Sequence, residues 1–264
     1  MEEKIQELRE IITLEVAQFN FLAQRYHPEV RCKPVVDPEI RIALSMPNEL
    51  AKARRFYKAK PSWTSTSHPL ARNNAYYKYC IDQIEVHDGL WTEFGVKFGR
   101  SANILVDIKK EKFPQSTKPL YGFDSFVGFP EDTKEWGKAG RLSKEGVAPT
   151  ISGAEFYKGW FKDTIPTFVQ DHPEDLALLH VDCDIYNSTV TVLEGLKNKI
   201  VPGTVILFDD ILSYSQRRDI WGGEEHEYKA FSEFVEKYEV EYRWLASIPN
   251  ASQAACIIEK IAKD

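Results

Sequence analysis

The segment "LLHVDCDIYNSTVTVL", residues 178–193, passes from an apolar run through two aspartates into a helical pattern. The apolar run is typical of a strand that is buried on both faces, and the residues that follow predict a helix. A strand followed directly by a helix is one βα unit of a parallel sheet. Asp182 and Asp184 therefore fall at the carboxyl end of a strand, where ligands bind in open α/β sheets.

Short apolar runs alternate with helical patterns on both sides of this segment, which predicts a doubly wound α/β fold. The predicted parallel strands are residues 90–95, 119–124, 154–159, 176–182 and 203–209. The predicted helices of this region are residues 100–112, 163–172, 188–200 and 224–238. Residues 240–248 and 253–260 alternate or run apolar and predict a final antiparallel pair.

The chain before residue 87 shows a different pattern, without short apolar runs that alternate with helices. Apolar residues at helical spacing predict a long first helix within residues 2–26, and residues 73–84 predict a second helix that leads to Val86. We therefore divide the chain into a helical extension at residues 1–86 and an α/β domain at residues 87–264.

Composition and charge exclude several classes of protein. The 34 Lys and Arg residues against 40 Asp and Glu give a net charge of −6, with no basic stretch that would bind a phosphate backbone. The four cysteines form no CxxC pair, which argues against a zinc site or a disulfide framework. No secretory apolar region or membrane span is seen, so we expect a cytoplasmic protein that binds neither nucleic acid nor membranes.

The segment of residues 128–153 is rich in Gly, Pro and charged residues and is longer than ordinary connections. It is either a disordered insertion or a lid. Because it leaves the carboxyl end of a strand, we favour a lid and call it the lid segment.

The first strand, turn and helix suggest a nucleotide-type site. Gly95 and Gly99 permit a tight turn and the approach of a ligand to the backbone, while Ser101 is placed to cap the helix. The plain alternative is a βα turn that needs a glycine. Glu93 and Asp124 end the first two strands, and a carboxylate at the second position is placed to accept hydrogen bonds from an adenosine ribose.

These residues suit an adenosyl cofactor that lacks phosphates, such as S-adenosylmethionine. A nicotinamide dinucleotide would need a third glycine at the helix start, and Arg100 would crowd the pyrophosphate there. Trp160 follows the third strand and either stacks on the adenine or packs in the core.

Carboxylates at the ends of the fourth and fifth strands suggest a cation site. Asp182, Asp209 and Asp210 would converge at one edge of a parallel sheet and repel one another unless a cation such as Mg²⁺ compensates them. Asp184 could instead serve as a helix cap. His226 could reach this edge, although a solvated surface histidine explains it equally well.

Two other residues have plainer interpretations. His180 and Cys183 are interpreted as packed residues because both lie in or beside the buried strand.

Together, "EFGVKFGRSA", "YGFDSFVGFPE", "GWFKDTIP", "LLHVDCDIYNSTVTVLEGL", "VPGTVILFDDI" and "EYKAFSEF" resemble, in order, segments of the TylF/MycF-type, or macrocin O-methyltransferase-like, enzymes. The resemblance covers roughly residues 90–260. It departs at Gly99-Arg100, where the family has paired glycines, and at His226-Glu227, where the family has Gly-Glu.

The resemblance implies a Rossmann-like class I methyltransferase fold: a seven-stranded, mostly parallel sheet with an antiparallel last strand. It also implies a cytoplasmic enzyme of natural-product biosynthesis that uses S-adenosylmethionine and Mg²⁺ to methylate a sugar or other hydroxyl of a small molecule. The implied cofactor contacts are Glu93, Gly95, Ser101, Asp124 and Ser125. The implied metal ligands are Asp182, Asp209 and Asp210, with Asp184 as the general base.

Two other functions are weighed against this one. A nicotinamide-binding oxidoreductase would explain Asp124 but leave the other strand-end aspartates without a role. A non-catalytic binding protein with the same fold would have no reason to keep a repulsive acidic cluster. The acceptor and the assembly state, for which a homodimer is considered, are not decided by the sequence.

Overall fold

The computed structural model describes residues 69–86, 88–132, 137–211, 226–248 and 252–262. The long helix predicted within residues 2–26 lies outside the described residues.

The described chain alternates helices and strands as the sequence predicts. The helices are α1 (Pro69–Ile81), α2 (Arg100–Lys112), α3 (Phe161–Asp171), α4 (Tyr186–Leu196) and α5 (His226–Lys237). The strands are β1 (Leu90–Phe94), β2 (Leu120–Asp124), β3 (Ala154–Lys158), β4 (Leu176–Val181), β5 (Val205–Phe208), β6 (Glu241–Ile248) and β7 (Gln253–Lys260). A 3₁₀ turn at Lys197–Lys199 follows α4.

All seven strands form one sheet in the order β3-β2-β1-β4-β5-β7-β6. Strands β1 to β5 pair in parallel, and β7 runs antiparallel to both β5 and β6. The predicted seven-stranded sheet with an antiparallel last strand is thus confirmed. The strand order reverses direction between β1 and β4, and open α/β sheets bind their ligands at such a switch point.

Two apolar layers cover the sheet, one on each face. The first layer joins the sheet to α3, α4 and α5, and Phe168, Leu193 and Phe231 are buried within it. The second layer joins the sheet to α1 and α2, where Tyr77 and Leu105 are fully packed. Burial on both faces explains why every residue of β4 is buried and why all but His180 are apolar.

Helix α1 belongs to the core of the sheet. Its residues Tyr76, Tyr77, Cys80 and Ile81 are buried against the face that α2 also covers. The division of the chain at residue 86 stays a prediction.

Within the described residues, no helix is both long enough and apolar enough to cross a bilayer.

Candidate active site

A cavity of about 740 Å³ opens at the carboxyl edge of the sheet, beside the switch point between β1 and β4. Its size lies within the range of roughly 300–1,000 Å³ that accommodates small-molecule ligands. The loops after β1, β2, β3, β4 and β5 all contribute lining residues. The lining residues that the sequence had predicted as site residues are Gly95, Asp124, Ser125, Trp160, Asp182, Asp184, Asp209 and Asp210.

Asp124 organises the first half of the cavity. Its carboxylate accepts hydrogen bonds from the backbone amides of Val96 at 3.0 Å, Lys97 at 2.8 Å and Phe126 at 2.7 Å. These bonds hold the turn after β1 against the end of β2. A carboxylate accepts about four hydrogen bonds, so Asp124 keeps capacity for a ligand hydroxyl.

Ser125 follows Asp124 on the cavity wall. Its hydroxyl donates to the Gly128 carbonyl at 3.2 Å and accepts from the Val127 amide, which shapes the start of the lid segment.

Three residues predicted to contact the cofactor are not among those lining the cavity: Glu93, Gly99 and Ser101. Glu93 is fully buried and accepts hydrogen bonds from the Ser101 hydroxyl and from His180 Nδ1, the latter at 3.2 Å. The predicted capping of α2 by Ser101 is wrong, because Gly99 occupies the N-cap and the Ser101 hydroxyl is engaged by Glu93. Their roles toward a cofactor stay predictions.

Gly95 lies where the two halves of the cavity meet. It has a φ of 96°, and a Cβ added to it would overlap the carbonyl oxygen of Asp182. The Asp182 amide in turn donates to the Phe94 carbonyl at 2.9 Å. Glycine is therefore required here, because the backbones that follow β1 and β4 run in direct contact.

We expect Gly95→Ala to lower the free energy of unfolding by roughly 2–4 kcal/mol, since it combines backbone strain with overpacking. Urea denaturation would measure this. Gly140→Ala is the matched control, because Gly140 has a φ of 78° but its nearest neighbour would lie 3.9 Å from an added Cβ. If both variants lost the same stability, backbone strain alone would account for the effect and the close contact with Asp182 would not matter.

Asp182, Asp184 and Asp210 form the second half of the cavity. One carboxylate oxygen from each lies within 4.8 Å of the others. Asp182 and Asp210 thus lie together as the sequence predicts, while Asp184 rather than Asp209 is the third member of this cluster. Asp184 has a φ of 62°, a left-handed conformation that costs free energy in most residues but is comparatively accessible to Asp, and such strain is frequent at functional sites.

The cluster is electrostatically unfavourable without a cation. Burial and the neighbouring carboxylates raise the pKa of Asp182 and of Asp210 well above the ordinary value. Burial raises the pKa of Asp184 to about 6, although Lys97 and Arg141 act in the opposite direction. Hard oxygen donors at this spacing fit Mg²⁺, which binds carboxylates and keeps part of its water shell.

The other predicted site residues are placed as follows. Asp209 lines the cavity and accepts a hydrogen bond from Gln253 Nε2. Trp160 is partly exposed on the cavity wall at the start of α3. His226 begins α5 and is buried, so the interpretation as a solvated histidine is wrong, and it is not among the lining residues.

Two residues interpreted as packed are indeed buried. His180 is enclosed in the core beside Glu93, and Cys183 is buried with its sulfur 3.7 Å from the Thr189 hydroxyl.

Sequence reasoning missed the cations of the site. Lys97 and Arg141 line the same cavity as the acidic cluster, and the positive charge of each lowers the pKa of Asp184. Lys97 lies between Gly95 and Gly99, which was the only local signal for it, whereas Arg141 lies in the lid segment and carries no motif.

The described part of the lid segment is packed over the cavity. Phe129 and Arg141 are joined by a backbone hydrogen bond of 3.1 Å, and both line the cavity. Near its start, Glu131 accepts a hydrogen bond of 2.8 Å from Asn187 Nδ2, next to the acidic cluster. The described part of this segment is thus ordered against the cavity, and its action as a lid stays a prediction.

Comparison with known proteins agrees with this architecture. The family model described as macrocin-O-methyltransferase (TylF) matches residues 152–236. The 8-demethyl-8-(2,3-dimethoxy-α-L-rhamnosyl)-tetracenomycin-C 4′-O-methyltransferase of Streptomyces olivaceus is 26% identical over 172 residues, which are 56% of this chain and 64% of that protein. The demethyldecarbamoylnovobiocin O-methyltransferase of Streptomyces niveus is 42% identical over 109 residues, 34% of this chain and 40% of that protein. The chain thus spans less than two thirds of the length of these relatives.

Two solved structures share the fold. The calicheamicin methyltransferase CalS11 superposes with a TM-score of 0.54 at 19% identity, covering 80% of this chain and 85% of that one. The O-methyltransferase NovP gives a TM-score of 0.52 at 22% identity, covering 71% and 79% of the two chains. The predicted Rossmann-like fold of class I methyltransferases is confirmed by these two structures, and the similarity to the macrocin-O-methyltransferase (TylF) family model is confined to residues 152–236.

Proposed function

We propose that this protein is an S-adenosylmethionine-dependent O-methyltransferase that acts on a hydroxyl of a small molecule with the help of a divalent cation. The observation that carries the proposal is the contact between Gly95 and Asp182, which places a nucleotide-type turn directly beside an acidic cluster in one cavity. A methyl donor bound on one side of this contact and a hydroxyl held on the other would meet there.

Gly95, Asp124, Ser125 and Trp160 would hold the cofactor. All four line the cavity; Asp124 can accept hydrogen bonds from ribose hydroxyls, and the Trp160 ring can stack on the adenine.

A dinucleotide is disfavoured by the surroundings of Gly99. A Cβ on Gly99 would lie 2.6 Å from the Ile151 side chain and 3.2 Å from Pro149, so the end of the lid segment packs against the start of α2. A pyrophosphate needs that helix N-terminus to be open. The oxidoreductase alternative therefore lacks a phosphate site.

Asp182, Asp209 and Asp210 would hold the cation: Asp182 and Asp210 lie in the cluster, and Asp209 lines the same cavity. A bound divalent cation would lower the pKa of the acceptor hydroxyl and offset the repulsion among these carboxylates. Asp184 would then remove the hydroxyl proton, since its carboxylate lies in the cluster and also lines the cavity. Lys97 and Arg141, by favouring its ionised form, would keep this base competent near neutral pH.

The acceptor would be a glycosylated natural product or a related hydroxylated compound. By their names, the relatives described above act on a rhamnosyl tetracenomycin and on demethyldecarbamoylnovobiocin. The cavity wall supports such an acceptor, because Asn187, Ser188 and Thr191 provide polar contacts beside the acids while Phe129 and Leu142 provide apolar ones.

Calorimetry with S-adenosylhomocysteine and with NADH tests the choice of cofactor. We expect saturable binding of S-adenosylhomocysteine and none of NADH, followed by methyl transfer to at least one compound of a glycosylated natural-product library, detected by mass spectrometry. Binding of NADH instead would favour the oxidoreductase. Tight cofactor binding with no transfer to any acceptor would favour a non-catalytic binding protein.

A further inference from the structure

Glu227 is a buried carboxylate that the proposed chemistry does not use. It lies in the first turn of α5, is fully buried and is not among the residues lining the cavity. One of its oxygens, Oε1, has no hydrogen-bond partner among the described residues. Burying a carboxylate costs free energy unless hydrogen bonds or a nearby positive charge compensate it.

The other carboxylate oxygen of Glu227 is hydrogen-bonded to the backbone of Asp210, which belongs to the acidic cluster. Its Oε2 accepts a hydrogen bond of 3.1 Å from the amide of Asp210, just beyond β5. The amide of Cys183, in the loop after β4, faces the same carboxylate. Cys183 lies between Asp182 and Asp184, so Glu227 reaches both loops that supply the cluster.

Resting on the proposed function, we propose that Glu227 is a positioning residue that fixes the spacing of the carboxylates that bind the cation. The hydrogen bond from the Asp210 amide would fix the direction of the Asp210 side chain. The contact with the Cys183 amide would hold the loop after β4 against the same Glu227 carboxylate. Groups behind the direct ligands of a metal typically change its affinity by about 10–100-fold when they are altered.

The geometry separates this role from a simple contribution of charge. Aspartate at position 227 would keep the negative charge but shorten the side chain by one methylene group, which withdraws the carboxylate from the Asp210 amide. Glutamine would keep the length but replace the strong anionic acceptor by a neutral amide. A positioning role predicts that both changes weaken binding of the cation.

The test measures binding of Mn²⁺, as a paramagnetic substitute for Mg²⁺, to the full chain by electron paramagnetic resonance. We expect Glu227→Gln and Glu227→Asp each to weaken Mn²⁺ binding by about 10-fold or more. Their affinity for S-adenosylhomocysteine should stay within about threefold of wild type, which a general loss of folding would not allow. Glu236→Gln is the matched control, because Glu236 is an exposed carboxylate on the same helix and its loss should change nothing.

The outcomes distinguish this inference from the proposed function. If wild type binds Mn²⁺ and Asp182→Asn abolishes binding while both Glu227 variants bind normally, the positioning role is overturned and the cation site stands. If Glu227→Asp binds normally and only Glu227→Gln is weakened, charge rather than position is responsible and the inference is also overturned. If wild type binds no Mn²⁺, the cation site and the positioning role fail together.

Discussion

Replacing Asp184 by Asn should lower kcat for methyl transfer by roughly 10²–10⁴-fold, which is the usual contribution of a general base. The substitution preserves the shape of the side chain and removes only its capacity to take a proton. Binding of S-adenosylhomocysteine should be unchanged, because the proposed cofactor contacts lie in the other half of the cavity. Single-turnover methyl transfer followed by mass spectrometry measures the effect, with Asp107→Asn on the exposed side of α2 as the control.

The pH dependence of wild-type kcat provides a second check on Asp184. Burial raises the pKa of this carboxyl to about 6, and only the ionised form can act as a base. The rate should therefore increase as the pH rises through this value, and a cation held nearby would move the midpoint lower. A rate that increased only above pH 7 would exclude Asp184 as the titrating base.

The same variant separates the role of a base from that of a metal ligand. Asp184 lies within 4.8 Å of Asp182 and Asp210, so the spacing alone would permit it to bind the cation. If Asp184 is the base, Asp184→Asn should bind Mn²⁺ within about threefold of wild type. A loss of Mn²⁺ affinity as large as that of Asp182→Asn would make Asp184 a ligand instead.

Asp182→Asn should abolish Mn²⁺ binding and reduce methyl transfer by about 10³-fold or more. A metal contributes several kcal/mol to such a reaction, and each 1.4 kcal/mol or so corresponds to about tenfold in rate. Addition of a chelator to wild type should reproduce the loss, and Mg²⁺ should restore the activity of wild type but not of the variant. Undiminished wild-type turnover in chelator would show that no cation takes part.

The stability of Asp182→Asn shows whether a folding defect, rather than the loss of the cation, causes its loss of activity. The pKa of Asp182 is raised in the folded protein, so ionisation of this group opposes folding at every pH above its ordinary value of about 4. Without cation at pH 7, Asp182→Asn should therefore unfold at a temperature equal to or higher than that of wild type. A markedly lower unfolding temperature would mean that the variant fails because it is misfolded.

Local patterns were sufficient for the elements and for the edge of the sheet that carries the site. Apolar runs and helical spacing predicted β1 to β5 and α2 to α5 to within a few residues, because both are properties of neighbouring positions. The predicted cap at Ser101 failed for a nonlocal reason. Its hydroxyl is bonded to Glu93, which lies on the preceding strand, and glycine takes the N-cap position.

The membership of the acidic cluster depended on packing that the sequence does not display. Asp209 and Asp210 are consecutive residues just beyond β5, and both line the cavity. Asp210 joins Asp182 and Asp184, while Asp209 accepts a hydrogen bond from Gln253 on β7, and adjacent positions in the sequence do not reveal this difference.

The sequence by itself determined that this chain forms a parallel sheet with acids at its carboxyl edge, because strands, turns and helices are each specified by patterns of neighbouring residues. Only the tertiary structure decided which of those acids meet, that Gly95 must lie against Asp182, and that Lys97, Arg141 and Glu227 surround the cluster. These contacts join residues far apart in the chain, and their distances are fixed by the pairing of β1 with β4 and of β4 with β5.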